Sequence, residues 1–253
     1  MSGRLSVVGL GPGQTEWMTP EAGAAIAAAT DLVGYGPYLE RLALRPGQRA
    51  HASDNRAELA RARLALTLAA EGRAVAVVSS GDPGVFAMAA AVFEAIEEAP
   101  RWRALDVSVL PGVSAMQAAA ARLGAPLGHD FCAISLSDNL KPWSIVERRL
   151  RAAAEGDFVI ALYNPASKAR PSRIVEAFDL LRKLKSAATP VAFARAIGRA
   201  DEKLTIATLG AADVSLVDMA TLVIVGSSET RLIPRDGARA PWMLTPRSYG
   251  APR

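Results

Sequence analysis

In the first half of the chain, apolar residues fall into short unbroken runs separated by longer Ala-rich amphipathic stretches. Arg4 to Val8, Asp31 to Gly34, Ala74 to Ser79 and Asp106 to Leu110 read as strands. Such runs suit strands buried on both faces. Glu21 to Ala29 reads as a helix, with Thr19 as N-cap and Pro20 at its first position. A second helix runs from Asn55 to Glu71, capped by Ser53 or Asp54 and stopped by Gly72, and a third covers Phe86 to Glu98. This βαβα rhythm argues a parallel sheet with helices on both faces.

The pattern changes after Gly112, where a domain boundary divides residues 1–112 from 113–253. Ser114 to Leu123 is a helix with Ser114 as N-cap and Gly124 past its end. Strands follow at Phe131 to Leu136, Phe158 to Tyr163 and Pro190 to Ala194, separated by amphipathic helices near Ser144 to Glu155 and Ser172 to Lys185. Two more strands, Leu204 to Thr208 and Thr221 to Val225, have no long helix between them. That spacing argues a mixed sheet with antiparallel members. The tail from Arg235, rich in Pro and Arg, reads as irregular.

Three glycine loops interrupt the first half where strands end: Gly9-Leu10-Gly11-Pro12-Gly13, Ser80-Gly81-Asp82-Pro83-Gly84 and Pro111-Gly112. Ligands of open α/β sheets bind at the carboxyl ends of strands. The first loop is close to a dinucleotide fingerprint but departs from it. Gln14 replaces the third glycine, Pro12 removes a backbone donor, and Gly34-Tyr35-Gly36 brings no acidic residue for a ribose. These departures count against a dinucleotide-dependent oxidoreductase, which is kept as a rival reading, as is a module that binds ligand without turnover. Asp82 either accepts hydrogen bonds from a ligand or caps the following helix. Tyr163-Asn164-Pro165 ends a strand of the second half, as a site or as a plain turn. Ser135-Leu136-Ser137-Asp138 ends another and can meet a polar substrate, whereas His129 next to Asp130 is structural or catalytic. Arg195 and Arg199 suit carboxylates or a solvated surface.

Composition narrows the classes. The 253 residues are 51% hydrophobic and 21% charged, with a formal charge of +4. That supports a folded core and argues no nucleic-acid surface. No apolar run approaches a membrane span, and the N-terminus lacks the features of a signal peptide. A single cysteine, Cys132, excludes an internal disulfide and, placed in an apolar strand, reads as buried and inert. With two histidines it makes no metal cage, so no metal is expected. A reducing cytoplasm fits, and no Ser-His-Asp or Cys-His arrangement is readable.

Taken in order, Val8-Gly9-Leu10-Gly11-Pro12-Gly13, Ser80-Gly81-Asp82-Pro83 and Pro111-Gly112-Val113-Ser114-Ala115 resemble the tetrapyrrole methylases over nearly the whole chain. These are S-adenosylmethionine-dependent class III methyltransferases. The resemblance implies an α/β fold of two domains, the first with a mostly parallel sheet, the second with a mixed sheet, and the cofactor in the cleft between them. It also implies a homodimer. Val33-Gly34-Tyr35, the segments from Ser79 to Val85, Leu123 to Phe131 and Ser135 to Asp138, Pro142-Trp143 and Tyr163-Asn164-Pro165 resemble the branch of that family that methylates C17 of precorrin-3B in cobalamin synthesis, the nearest rival being a member that acts on a cobalt-bearing substrate or at another ring carbon. In that reaction carbon C20 leaves the ring to become an acetyl group on C1. By the same resemblance Gly9, Gly11, Pro12, Gly13, Ser80, Gly81, Asp82, Val85, Ser114, Ala115, Tyr163, Ala194 and Thr221 would contact the cofactor. Asp82, His129, Asp138 and Tyr163 are the acid–base candidates for ring contraction. Lys141, Asn164, Arg195 and Arg199 are candidates for binding the substrate and its carboxylates.

Overall fold

The computed structural model describes residues 3–54, 56–166, 172–237 and 239–249. Its contacts divide the chain into two compact units, Met1–Ser114 and Ala115–Arg253.

The first unit holds β1 (Arg4–Gly9), α1 (Pro20–Ala28), β2 (Asp31–Tyr35), α2 (Gly36–Leu39), β3 (Arg49–Ser53), α3 (Glu58–Ala70), β4 (Ala74–Ser79), α4 (Met88–Glu98) and β5 (Asp106–Leu110). The strands form one parallel sheet in the order β3-β2-β4-β1-β5. Successive side chains of β4 point to opposite faces. Val75 and Val77 join a core with Leu66 of α3 and Val92 of α4, while Ala76 and Val78 join one with Ala22 of α1 and Leu39 of α2. Burial on both faces is why the inner strand β4 carries no polar alternation, whereas the edge strands β3 and β5, more exposed, alternate polar and apolar residues. β1, β4 and β5 lie side by side, so their three following loops emerge together at one edge of the sheet.

Thr19 caps α1 as expected, accepting the Ala22 N–H at 3.1 Å, with Pro20 next. Three local details depart from the sequence reading. Helix α3 begins at Glu58, and its N-cap Ala57 makes no side-chain cap bond; the expected start at Asn55 lies outside the described residues. Ser53 closes β3 instead, and its hydroxyl accepts from Nε of the buried Arg61 at 2.8 Å. The third helix begins at Met88 because Phe86 has φ of 52°, outside helical geometry.

The second unit holds α5 (Ala115–Leu123), β6 (Gly124–Ala125), β7 (Phe131–Ser135), α6 (Trp143–Glu155), β8 (Val159–Tyr163), α7 (Arg173–Leu184), β9 (Pro190–Arg195), β10 (Lys203–Thr208), β11 (Thr221–Val225), β12 (Arg231–Ile233) and β13 (Trp242–Leu244). The main sheet runs β10-β9-β11-β8-β7, parallel only between β7 and β8. Helices α6 and α7 cover one face, where Leu150, Phe178 and Leu181 pack on Ile160, Leu162, Phe193 and Val223. The tail is not wholly irregular: Trp242–Leu244 pairs with β12 and with β6. None of the described helices is long and apolar enough to cross a membrane.

Cys132 lies half-buried in β7, and burial pushes its thiol up to about 11 against the opposing charge of Lys185. A thiol so poorly ionised reacts slowly. Alkylation at pH 8 is expected to be roughly a hundredfold slower than for an unperturbed cysteine. A rate equal to that of free cysteine would show that burial does not suppress the thiol's ionisation.

Candidate functional site

The three loops of the first unit interlock through their backbones. The Gly11 N–H donates to the Gly81 carbonyl at 3.2 Å, and the Gly81 N–H returns the bond to Gly11 at 2.9 Å. The third loop joins through Asp82, whose Oδ2 accepts the Gly112 N–H at 3.1 Å while Oδ1 accepts that of Gly84 at 2.8 Å. Thr19 Oγ1 adds a contact to the Pro111 carbonyl at 3.4 Å. So close an approach explains two glycines. A Cβ on Gly9 would stand 2.7 Å from Gly112 N and from Gly81 O, and one on Gly112 would overlap the Gly81 carbonyl oxygen. Neither position requires unusual dihedrals; the backbones are simply too near to admit a side chain.

The sequence-derived cofactor residues of this unit therefore divide by exposure. Gly9, Gly11, Pro12 and Gly81 are buried among the loops, whereas Gly13, Ser80, Asp82 and Val85 keep part of their surface open. Asp82 does not cap the following helix, whose N-cap is Ala87 without a side-chain bond. Its carboxylate joins the second loop to the third instead. A carboxylate offers about four acceptor positions, so capacity remains beyond the two backbone bonds. Small residues around a half-open carboxylate suit a cationic ligand that carries hydroxyls.

In the second unit most candidates gather at one end of the main sheet. β7 and β8 run parallel, with Ser135 opposite Tyr163, and β9 and β11 pair Arg195 with Thr221. This end thus collects the residues that close β7, β8 and β9 and open β11. Tyr163 Oη accepts the Met116 N–H at 3.1 Å, taking up one of the free donors of α5. Asn164 adopts φ of 50°, and its Nδ2 donates to Ser135 Oγ at 2.9 Å. The Thr221 hydroxyl donates to Asp218 at 2.7 Å. Burial opposes ionisation of Asp218, yet bonds from Thr221, Arg195 and the Ala220 N–H hold its carboxyl below the usual range. Ala194 is buried in β9, Ala115 opens α5 half-exposed, and Ser114, 3% exposed, precedes it.

Other candidates are already engaged. Arg195 donates from Nε to Asp218 at 2.9 Å and from Nη1 to Asp201 at 3.0 Å; these bonds, that to Asp218 first, hold its guanidinium charged. Asp138 is gripped by Arg173, with Nε at 2.8 Å and Nη2 at 2.6 Å, and Arg173 stacks over Trp143 at 4.7 Å. Burial, and then the charge of Arg149, lowers the Lys141 ammonium against the pull of Asp138. Arg199 is exposed in the turn after β9, its N–H on the Ala196 carbonyl.

His129 is not brought to Tyr163 and Asp138. It precedes Phe131, at the start of β7, while the other two stand at or beyond the finish of β8 and β7. Its ring packs edge-on to Tyr249 at 4.7 Å, and Nδ1 accepts the Asp130 N–H at 2.8 Å. Sequence reasoning missed Arg41, Arg173 and Asp218, which hold candidate residues in place. A solvated arginine and an anchoring one look alike in one dimension.

These loops and strand ends define a class. A profile of the tetrapyrrole (corrin/porphyrin) methylases matches residues 4–213, and the chain belongs to that family. Within it, the chain is 60% identical over 250 residues to the precorrin-3B C(17)-methyltransferase of Sinorhizobium sp, covering 98% of each. It is 45% identical over 248 residues to the probable cobalt-factor III C(17)-methyltransferase of Salmonella typhimurium, covering 97% of this chain and 99% of that one. Among solved structures it resembles the methyltransferase CobJ, with a TM-score of 0.92 and 52% identity over 97% of this chain and all of the other.

Proposed function

We propose that this chain transfers a methyl group from S-adenosylmethionine to C17 of precorrin-3B and contracts the macrocycle, in assembly of the cobalamin corrin ring. The observation that carries the reading is the interlock of three glycine loops at the carboxyl ends of β1, β4 and β5. Family membership and the named activity of the 60% identical relative give it its substrate.

The half-exposed Gly13, Ser80, Asp82 and Val85 fit the donor and would hold it, Asp82 accepting from its hydroxyls. S-adenosylmethionine, when bound, supplies a methyl group on a cationic sulfonium whose leaving group is neutral. Transfer from such a group to an electron-rich carbon needs alignment and exclusion of water more than a strong base. Rigid loops without flexible side chains serve that end. Ring contraction also moves protons, and there the second unit contributes. Tyr163, whose Oη accepts the Met116 N–H, is the phenol at the end of β8 that would take part in this proton movement. Asn164, fixed by Ser135, offers a donor and an acceptor, and Lys141 and Arg199 provide charge for the substrate's carboxylates. Because Asp201 and Asp218 occupy Arg195, it serves as a scaffold in this reading.

The higher identity to the precorrin-3B relative favours the metal-free macrocycle over a cobalt-bearing one. The enzyme works in the reducing cytoplasm, which the single cysteine supports, and as a homodimer, as the family resemblance implies. Calorimetric titration with S-adenosylhomocysteine tests the donor assignment. One-site binding is expected, with no heat from NAD or NADP. Silence toward S-adenosylhomocysteine together with tight NAD(P) binding would overturn the assignment.

A further inference from the structure

The limb after β1 bonds to itself in one short turn, where the Trp17 N–H donates to the Gln14 carbonyl at 3.1 Å and the Met18 N–H to the Thr15 carbonyl at 3.0 Å. Pro12 has no N–H to give, and Gly11 and Gly13 flank it, so an unheld loop would be broadly disordered in conformation. Its carbonyls are collected by one side chain from another element. Arg41, half-buried just past α2, donates from Nη2 to the Gly13 carbonyl at 2.6 Å. The same nitrogen lies 3.3 Å from the Gly11 carbonyl and 3.4 Å from that of Leu10. Nη1 reaches Ser80 Oγ at 3.4 Å, in the loop after β4. One planar guanidinium thus ties two of the three loops together. Beside it opens a cavity of about 270 Å³, walled by Gly13, Gln14, Thr15, Met18, Leu42 and Arg41 itself.

The geometry points to Arg41 as a positioning residue that fixes the Gly13 limb and Ser80 in the arrangement that takes the methyl donor. The inference rests on the donor assignment proposed above. The Gly11–Gly81 bridge already secures the middle of the first loop, so the part that depends on Arg41 is the limb from Gly13 to Met18. A fork of donors can serve carbonyls and a hydroxyl at once; an ammonium at the same place cannot.

The test uses Arg41→Ala and Arg41→Lys in the full chain, each read three ways. Affinity for S-adenosylhomocysteine is expected to fall about tenfold in Arg41→Ala, as loss of charge-assisted bonds that order a binding loop would give. Arg41→Lys should fall between it and the parent. With S-adenosylmethionine as the varied substrate, KM should rise with kcat within about twofold, the pattern of lost uniform binding. Amide exchange should quicken from Gly13 to Met18 while β1 and β4 stay protected. Unchanged affinity in a folded Arg41→Ala would overturn the assignment. So would loss of protection throughout the sheet, or failure of both variants to fold, since either makes Arg41 a general structural support. If the parent itself binds no S-adenosylhomocysteine, the donor reading fails, and the exchange pattern still reports whether Arg41 holds the limb.

Discussion

Gly112→Ala is expected to lower stability by about 3 kcal/mol and to remove measurable affinity for S-adenosylhomocysteine. The added methyl would overlap the Gly81 carbonyl oxygen and stand 3.0 Å from the Gly9 carbonyl carbon. All the obstructing atoms are backbone, so no side chain can swing aside to make room. Relief requires the third loop to withdraw from the other two, and withdrawal breaks the Gly112–Asp82 bond as well. Gly23→Ala in α1 is the control: its new Cβ meets only Met18 Cε, at 3.7 Å. That change should raise stability by about 0.5–1 kcal/mol, as alanine replaces glycine within a helix, and leave binding intact. Thermal unfolding and ligand titration of both variants decide the matter. A stable Gly112→Ala protein with normal affinity would mean that the loops need not interlock.

Asp82→Ala is expected to reduce kcat/KM for methyl transfer by about a hundredfold, and Asp138→Ala by less than tenfold. Both Asp82 oxygens accept backbone N–H groups, from Gly84 and Gly112. Two bonds to a charged acceptor at about 1.5 kcal/mol each correspond to roughly two orders of magnitude in rate. Asp82→Asn should not restore the parent rate, since its NH2 would face one of those two N–H donors. Asp138 faces Arg173 instead, and its loss leaves that guanidinium paired with Glu176. Initial rates at limiting S-adenosylmethionine and saturating precorrin-3B test the ranking, and equal rates for Asp82→Ala and the parent would refute it.

Much of this was legible because apolar runs broken by glycine and proline are local signals. Ala74–Ser79 and Thr221–Val225 have the ends that the pattern predicts, and the three loops fall where their strands stop. Interactions made at a distance left no such trace. Trp242–Leu244 is only three residues long and becomes a strand through β6, more than a hundred residues earlier in sequence. Ser53 looked like a helix cap, but Arg61 draws its hydroxyl away. The candidate residues were readable as types, not as an arrangement. Asp82 turned out to hold a loop, Arg195 was found between two carboxylates, and His129 stands at the wrong end of β7 to join Tyr163. Arg41 gave no signal, because the groups it is seen to hold are backbone carbonyls and a serine hydroxyl, which are common along any chain.

The most direct measurement is incubation of the purified chain with S-adenosylmethionine and precorrin-3B, followed by mass and NMR analysis of the product. The account predicts one equivalent of S-adenosylhomocysteine and a macrocycle methylated at C17, its ring contracted and an acetyl group on C1. Methylation at another carbon with the ring intact, or no transfer at all by a folded protein that binds the donor, would contradict it.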